Sequence, residues 1–436
     1  MLSLELPRGK VIWGGAILVV SVLAAAAVVN VPSRILALII GCLFATAAFA
    51  FWPWATLPLG VAGGIVLAGL RPHASVTFVI AVHVGILVIG MLGWCTRATF
   101  GAVPRRVATT LDTPMLSYAV VLLLVTAWGI AVGNQSHKLL VATYELGVIP
   151  AYYLVATVTL ASRSWLQKAA WLFVFVATAL AVTGFASPGR HGGFPSLIAL
   201  PVVLFAAGRS HGARRFLLVA IAVILAVDTL LASYRATWLA AAVALLLMLP
   251  LAGRRLRRMV VQVIVLSAMT IFVGVLVSPG LDHRLQVLRD ELHQTAGYRA
   301  AEANVGLHVF WANPLLGNGL GQTRHDVFLP TFRVTDVGPI YHVWYVSILA
   351  NGGLVLALAL GWILIRTIRI GISMRVPWTR ILIALTIGFV ISAAFGGPTD
   401  GHWDLGLLPA LVVITATLLG RNHEPAVSIM PMPGRT

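Results

Sequence analysis

Three arginines and one histidine, far apart in the chain, have the types and neighbours needed to hold an anion and to move a proton. Arg190 lies in Gly189-Arg-His-Gly-Gly-Phe-Pro195, between glycines that let a backbone approach a ligand closely. Arg235 lies in Ser233-Tyr-Arg-Ala-Thr-Trp238, seven residues after Asp228, a spacing that lets the two share one helix face. Arg299 follows Gly297-Tyr298. A planar guanidinium grips a phosphate through two parallel hydrogen bonds, as a flexible ammonium cannot. Several outward-facing arginines around one cavity would suit a pyrophosphate at a bilayer surface. Each has a plainer reading too: Arg190 snorkelling to lipid headgroups, a structural Asp228–Arg235 pair, and Arg299 on a solvated face. His342 stands where polar sequence turns apolar, in Asp336-Val-Gly-Pro-Ile-Tyr-His342. With an unperturbed pKa near 6.5, a histidine can take a proton from a hydroxyl at neutral pH. Its plainer reading is an interfacial ring bonded to a backbone carbonyl.

The elements that must position these residues are membrane helices. Of the 436 residues 59% are hydrophobic and only 10% charged. Runs such as Val11 to Asn30, Val76 to Trp94, Met115 to Val132, Phe216 to Ser233 and Met259 to Val277 approach or meet the roughly 20 apolar residues of a spanning helix. They are apolar on all sides, whereas barrel strands would alternate over about 10 residues. The first run is read as the first span, since no small-residue cleavage site follows it. Cys42 and Cys95 lie in or beside apolar spans and serve packing.

The formal charge of +17 is distributed in short clusters between apolar runs, including Arg105-Arg106, Arg214-Arg215 and Arg254 to Arg258. That pattern marks cytoplasmic loops and excludes nucleic acid as the partner. Threading the chain on this rule leaves residues 134–147, 187–196, 233–238, 278–340 and 396–404 outside. A literal count reaches 14 spans, although pairs such as those joined by Trp52-Pro-Trp54 can be re-entrant. Four parts are expected: N-terminal helices over 1–277, a large external loop over 278–340, C-terminal helices over 341–420, and a flexible tail over 421–436.

Within the loop, Ala301, Val305, Val309 and Ala312 recur at helical spacing, with Arg299 and Glu302 off the stripe; Asn313-Pro314 stops the helix. Gly317-Asn-Gly-Leu-Gly321 has the look of a dinucleotide loop, but no strand leads into it. No Asp-x-Asp, His-Glu-x-x-His or paired-cysteine pattern implies a metal. Asp400 and Asp404, in Gly397-Pro-Thr-Asp-Gly-His-Trp-Asp404, either orient a basic group or are solvated.

The second half of the chain resembles the bacterial O-antigen ligases and the related O-antigen polymerases and protein O-oligosaccharyltransferases. The resemblance rests on Arg190-His-Gly-Gly-Phe-Pro195, Ser233-Tyr-Arg235, Arg299 with Asn313-Pro-Leu-Leu-Gly-Asn-Gly-Leu-Gly321, Tyr341-His342 and Asn351-Gly-Gly353, in order around one large loop. It implies an all-α polytopic fold of about 12 transmembrane helices, of the GT-C type, in the bacterial inner membrane with its site facing the periplasm. It also implies a metal-independent, inverting transfer without cofactor. The donor would be a polysaccharide on undecaprenyl diphosphate, the acceptor the lipid A-core, and membrane lipids the surroundings. By position, Arg190, Arg235 and Arg299 would bind the diphosphate and His342 would activate the acceptor hydroxyl, with Asp228, Asp400, Tyr341 and His191 supporting. Val343 departs from the family pattern, which has an asparagine or small polar residue after the histidine. A secondary transporter is the alternative from another class, but the paired broken helices of two related halves are not evident.

Overall fold

The computed structural model describes residues 33–70, 75–99, 106–186, 193–232, 235–251, 254–277, 286, 300, 302–322, 324–328, 333–337, 343–374, 376–395 and 402–420. The first apolar run and the C-terminal tail lie outside these. Among the described residues fourteen α-helices of a turn or more follow in order: α1 (Ser33–Phe51), α2 (Thr56–Leu70), α3 (Val76–Thr99), α4 (Asp112–Ala131), α5 (Ser136–Thr159), α6 (Arg163–Ala186), α7 (Phe194–Arg209), α8 (Gly212–Leu231), α9 (Arg235–Leu251), α10 (Arg254–Val277), α11 (302–312), α12 (Trp344–Ser373), α13 (Pro377–Ser392) and α14 (Asp404–Gly420). Helices dominate because a backbone in hydrocarbon must satisfy its own hydrogen bonds.

Among the described residues, six helices are long and apolar enough to cross a membrane: α3, α4, α5, α12, and segments Arg163–Gly184 and Leu256–Val277 of α6 and α10. A seventh candidate is the pair Gly41–Phe51 and Pro53–Val66, bent by 108°. Pro53 is the cause, since it lacks an N–H and opens a short 3-10 turn. Arg97 Nη1 donates to the carbonyls of Ala50 and Phe51 at this bend, at 3.2 and 2.9 Å.

Four shorter apolar helices, α7, most of α9, α13 and most of α14, fill the interior between the long ones. They approach closely because small residues face one another. A Cβ on Gly388 of α13 would lie 2.5 Å from Ala240 O of α9, and one on Gly406 of α14 would lie 2.2 Å from Ile149 O of α5. His83 of α3 is fully buried, and its Nε2 meets the Tyr152 hydroxyl at 2.8 Å while its Nδ1 meets that of Tyr144. An intramembrane imidazole needs such partners, so this network ties α3 to α5.

Among the described residues one hairpin interrupts the helices. Strands β1 (Arg324–Phe328) and β2 (Arg333–Val337) pair antiparallel within the large loop, with Val327 opposite Val334 and Phe328 opposite Arg333. Each strand is a short run rich in β-branched or aromatic residues, too brief to carry a helical period.

The loop helix α11 is present before Asn313, but its buried face is not the stripe of Ala301, Val305, Val309 and Ala312. Glu302, Gly306, Val309 and Phe310 are buried and Ala312 is exposed; Ala301 lies outside the described residues. The face is set by what α11 lies against: Val309 packs on Val346 and Ala350 of α12.

Candidate functional site

The first part of the site is a junction of three helix ends. Gly193 caps α7 with φ +66°, and a Cβ there would stand 2.9 Å from Ala232 Cβ, 3.1 Å from Thr237 Cγ2 and 3.2 Å from Thr229 Cα. Only a glycine in the left-handed region lets the chain enter α7 this close to the end of α8 and the start of α9. Ser196, one turn into α7, donates its hydroxyl to Asp228 Oδ2 of α8 at 2.7 Å, and both residues are buried. Phe194 packs on Phe389 of α13, ring centroids 5.3 Å apart. Arg235 is the first residue of α9, so the expected shared helix face with Asp228 is not formed. The chain is extended at Ala232, after α8 ends, and a new helix begins at Arg235. The hydroxyl that Asp228 accepts from belongs to Ser196, a residue with no special signal in the sequence.

Arg190 and His191 precede Gly193 by three and two residues, and both lie outside the described residues. So do Arg299, Tyr341, His342, Asp400 and the side chain of Arg235.

The second part of the site is a loop docked into a broken helix. Within α12, Gly353 has φ 60° and ψ −160°, which interrupts the helical ladder. The backbone N–H groups of Leu354 and Val355 donate instead to Pro314 O and Leu315 O, at 2.9 and 3.2 Å. Ala350 O in turn accepts from Asn318 N at 2.9 Å. Residues 313–318 therefore supply the partners that the break removes. The same loop is held on its other side by Asn134 of the α4–α5 turn, whose Nδ2 donates to Asn318 O at 3.0 Å and Leu320 O at 2.8 Å. Gly317, Gly319 and Gly321 all have positive φ. The glycine-rich run thus serves close backbone packing, in accord with rejecting a dinucleotide loop.

The third part surrounds the start of α12, two residues after His342. Trp344 stacks on His402 with ring centroids 4.1 Å apart. His402 Nδ1 lies 3.7 Å from Asp404 Oδ1, and the two side chains are 5% and 2% exposed, so Asp404 is not a solvated carboxylate. Among the described residues neither atom has a hydrogen-bond partner, nor has Trp403 Nε1. The hydroxyl of Tyr345 donates to Val390 O of α13. His402 and Trp344 escaped the sequence reading because they are 58 residues apart and neither stands in a recognisable spacing. Among the described residues no group of three or more His, Cys, Asp or Glu side chains is placed to hold a metal.

These helix ends fall largely within one stretch of chain. Residues 220–361, about a third of the sequence, match the family model described as O-antigen ligase. The match supports assignment to the O-antigen ligase family. It includes Asp228, Arg235, the loop of residues 313–321 and its seat at Gly353, together with His342. Members of the O-antigen ligase family act as glycosyltransferase-like ligases or polymerases, so the match supports an enzyme working on lipid-linked polysaccharide in a membrane. Comparison with curated proteins returns no match.

Proposed function

We propose that the protein is an O-antigen ligase that transfers a polysaccharide from undecaprenyl diphosphate to the lipid A-core on the periplasmic side of the bacterial inner membrane. The observation that carries this reading is the junction at Gly193. It brings the start of α7, which follows Arg190 in the sequence, against the end of α8 and the first turn of α9, the helix that Arg235 begins. Arg190, Arg235 and Arg299 hold the donor diphosphate, and Asp228, itself held by Ser196, supports that end. His342 takes the proton of the acceptor hydroxyl as it attacks the anomeric carbon opposite the leaving diphosphate, which inverts that centre. Guanidinium groups fixed in place stabilise the charge that develops on the leaving group. Holding two membrane-anchored substrates at one surface supplies proximity. On this reading the helices form a GT-C-type bundle, with Asp400, Tyr341 and His191 beside the reacting groups.

Deleting the gene tests the proposal through lipopolysaccharide banding. Long-chain bands attached to core should vanish while lipid-linked polymer of unchanged length accumulates. Loss of polymer length would instead assign polymerisation, and unchanged banding would overturn both.

A further inference from the structure

The geometry points to His402 as a positioning residue for the transfer, an inference that rests on reading His342 as the base. Held between Asp404 and the indole of Trp344, His402 fixes the first turn of α12 and with it the point from which His342 departs. Two residues span at most about 7 Å, so an anchor on Trp344 is an anchor on the approach to His342. Helix α12 has weak means of its own to fix that approach. Its N-cap is Val343, extended at φ −84° and ψ 97°, and the side chain of Val343 caps nothing. Valine ranks far below asparagine, aspartate or serine at an N-cap because it offers the free N–H groups of the first turn no acceptor. Contacts from other elements do the holding instead. The hydroxyl of Tyr345 donates to Val390 O of α13, Val346 packs on Val309 of α11, and Trp344, 3% exposed, stacks on His402.

The platform beneath His402 is held from two further helices. A Cβ on Gly406 of α14 would lie 2.2 Å from Ile149 O, so the start of α14 sits directly on the backbone of α5. Trp403 is fully buried, its ring centroid 6.1 Å from that of Tyr152, whose hydroxyl in turn meets His83 Nε2 of α3. Helix α14 therefore presents His402 from a surface that α3 and α5 fix in place. Asp404 gives the reason for a histidine at this point. The carboxylate is 2% exposed, and a buried carboxylate left without a partner is costly. His402 Nδ1 faces Asp404 Oδ1 at 3.7 Å, an ion-pair distance for a protonated ring, and the same ring lies against Trp344 with planes 40° apart. An aliphatic residue in place of His402 would leave both the carboxylate and the indole without this contact. Neither His402 nor Asp404 falls within residues 220–361, so this support for the start of α12 comes from outside the stretch that matches the family model.

A double-mutant cycle with His342 tests the assignment, on the full-length protein in a reconstituted transfer assay. His402→Ala should lower kcat about 10²-fold, the cost of displacing a reacting group by about 1 Å, and leave the KM of donor and acceptor unchanged. In a His342→Ala background the same change should have no further effect, because no base is left to position. An unchanged kcat in a folded His402→Ala protein, or an equal loss in both backgrounds, would overturn the inference; in the second case His402 would serve the fold or another step. A His342→Ala protein as active as wild type would overturn the reading of His342 as the base, and the positioning role with it. Should His402→Ala fail to fold, Trp344→Leu and Trp344→Phe carry the test from the other side of the contact. Leucine should lower kcat only where His342 is present, and phenylalanine, which keeps a ring on His402, should retain activity. Wild-type kcat in a folded Trp344→Leu protein, or a loss that persists in the His342→Ala background, would again overturn the inference.

Discussion

Ser196 and Asp228 join α7 to α8 through a buried 2.7 Å hydrogen bond, one turn from the glycine on which three helix ends converge. A carboxylate in that position has to be held, because an unpartnered charge at membrane depth is expensive. Ser196→Ala should therefore lower stability by about 1.5–3 kcal/mol, the range for hydrogen bonds to charged groups. Asp228→Asn keeps an acceptor for Ser196 and should fold normally while transfer falls, if the charge of Asp228 serves the diphosphate end. Thermal unfolding in detergent, paired with a transfer assay, separates the two. Wild-type activity in the Asn protein would confine Asp228 to architecture.

Gly353→Ala should be severe. The position has φ +60°, and a Cβ there would lie 2.3 Å from Leu315 O. Strain of this kind costs about 1–3 kcal/mol before the clash is counted. Gly361→Ala, in the same helix with nothing within 4 Å of the added methyl, should be neutral or stabilising. Comparing folded yield and melting temperature of the pair checks whether the docked loop is needed for the fold; equal behaviour would refute it.

Arg235→Lys should lose most transfer activity although it keeps the charge, since a lysine cannot make the two-pronged contact. Transfer by the wild-type protein should persist in a chelator, because arginines take the place of a metal at the leaving diphosphate. Activity abolished by EDTA and restored by magnesium or manganese would contradict that assignment.

His342→Ala should reduce transfer by about 10² to 10⁴, the usual contribution of a general base. The sign of the pH response follows from the chemistry. A neutral ring accepts a proton and a protonated ring cannot, so activity should be present above the histidine's pKa and fall as pH drops through it. The measurement is a reconstituted assay with purified lipid-linked donor and core acceptor, run across pH on wild type, His342→Ala and His342→Gln. A Gln variant as active as wild type would leave His342 only a positioning role.

The membrane class, the helical character and the punctuation of the chain were legible from composition and order. The glycines of Gly189–Gly193 announced a place where backbone comes close to something, because a missing Cβ has meaning at a single position; those of Gly317–Gly321 and Gly352-Gly353 carried no such reading. What the glycines approach was not legible. Gly193 meets Thr229 and Ala232, Gly317 meets Asn351, and Gly353 meets Leu315, and each partner lies in another segment of the chain. The orientation of α11 was misread for the same reason. Its face depends on α12, whereas periodicity alone assigned Glu302 to the outside although it is buried.

Sequence by itself determined that this is a polytopic helical membrane protein, and it singled out arginines and a histidine suited to a phosphate-bearing, hydroxyl-accepting reaction. Those conclusions depend on properties that each residue or short run carries alone: transfer free energy, guanidinium geometry and imidazole pKa. Only the tertiary structure decided that Ser196 holds Asp228, that Trp344 covers His402, and that residues 313–318 satisfy the break at Gly353. Each of those is a pairing between segments far apart in the chain, made on or at the ends and breaks of helices apolar on nearly every face. In such helices hydrophobic pattern does not specify a partner, and the match of small residues, carbonyls and hydroxyls in three dimensions does.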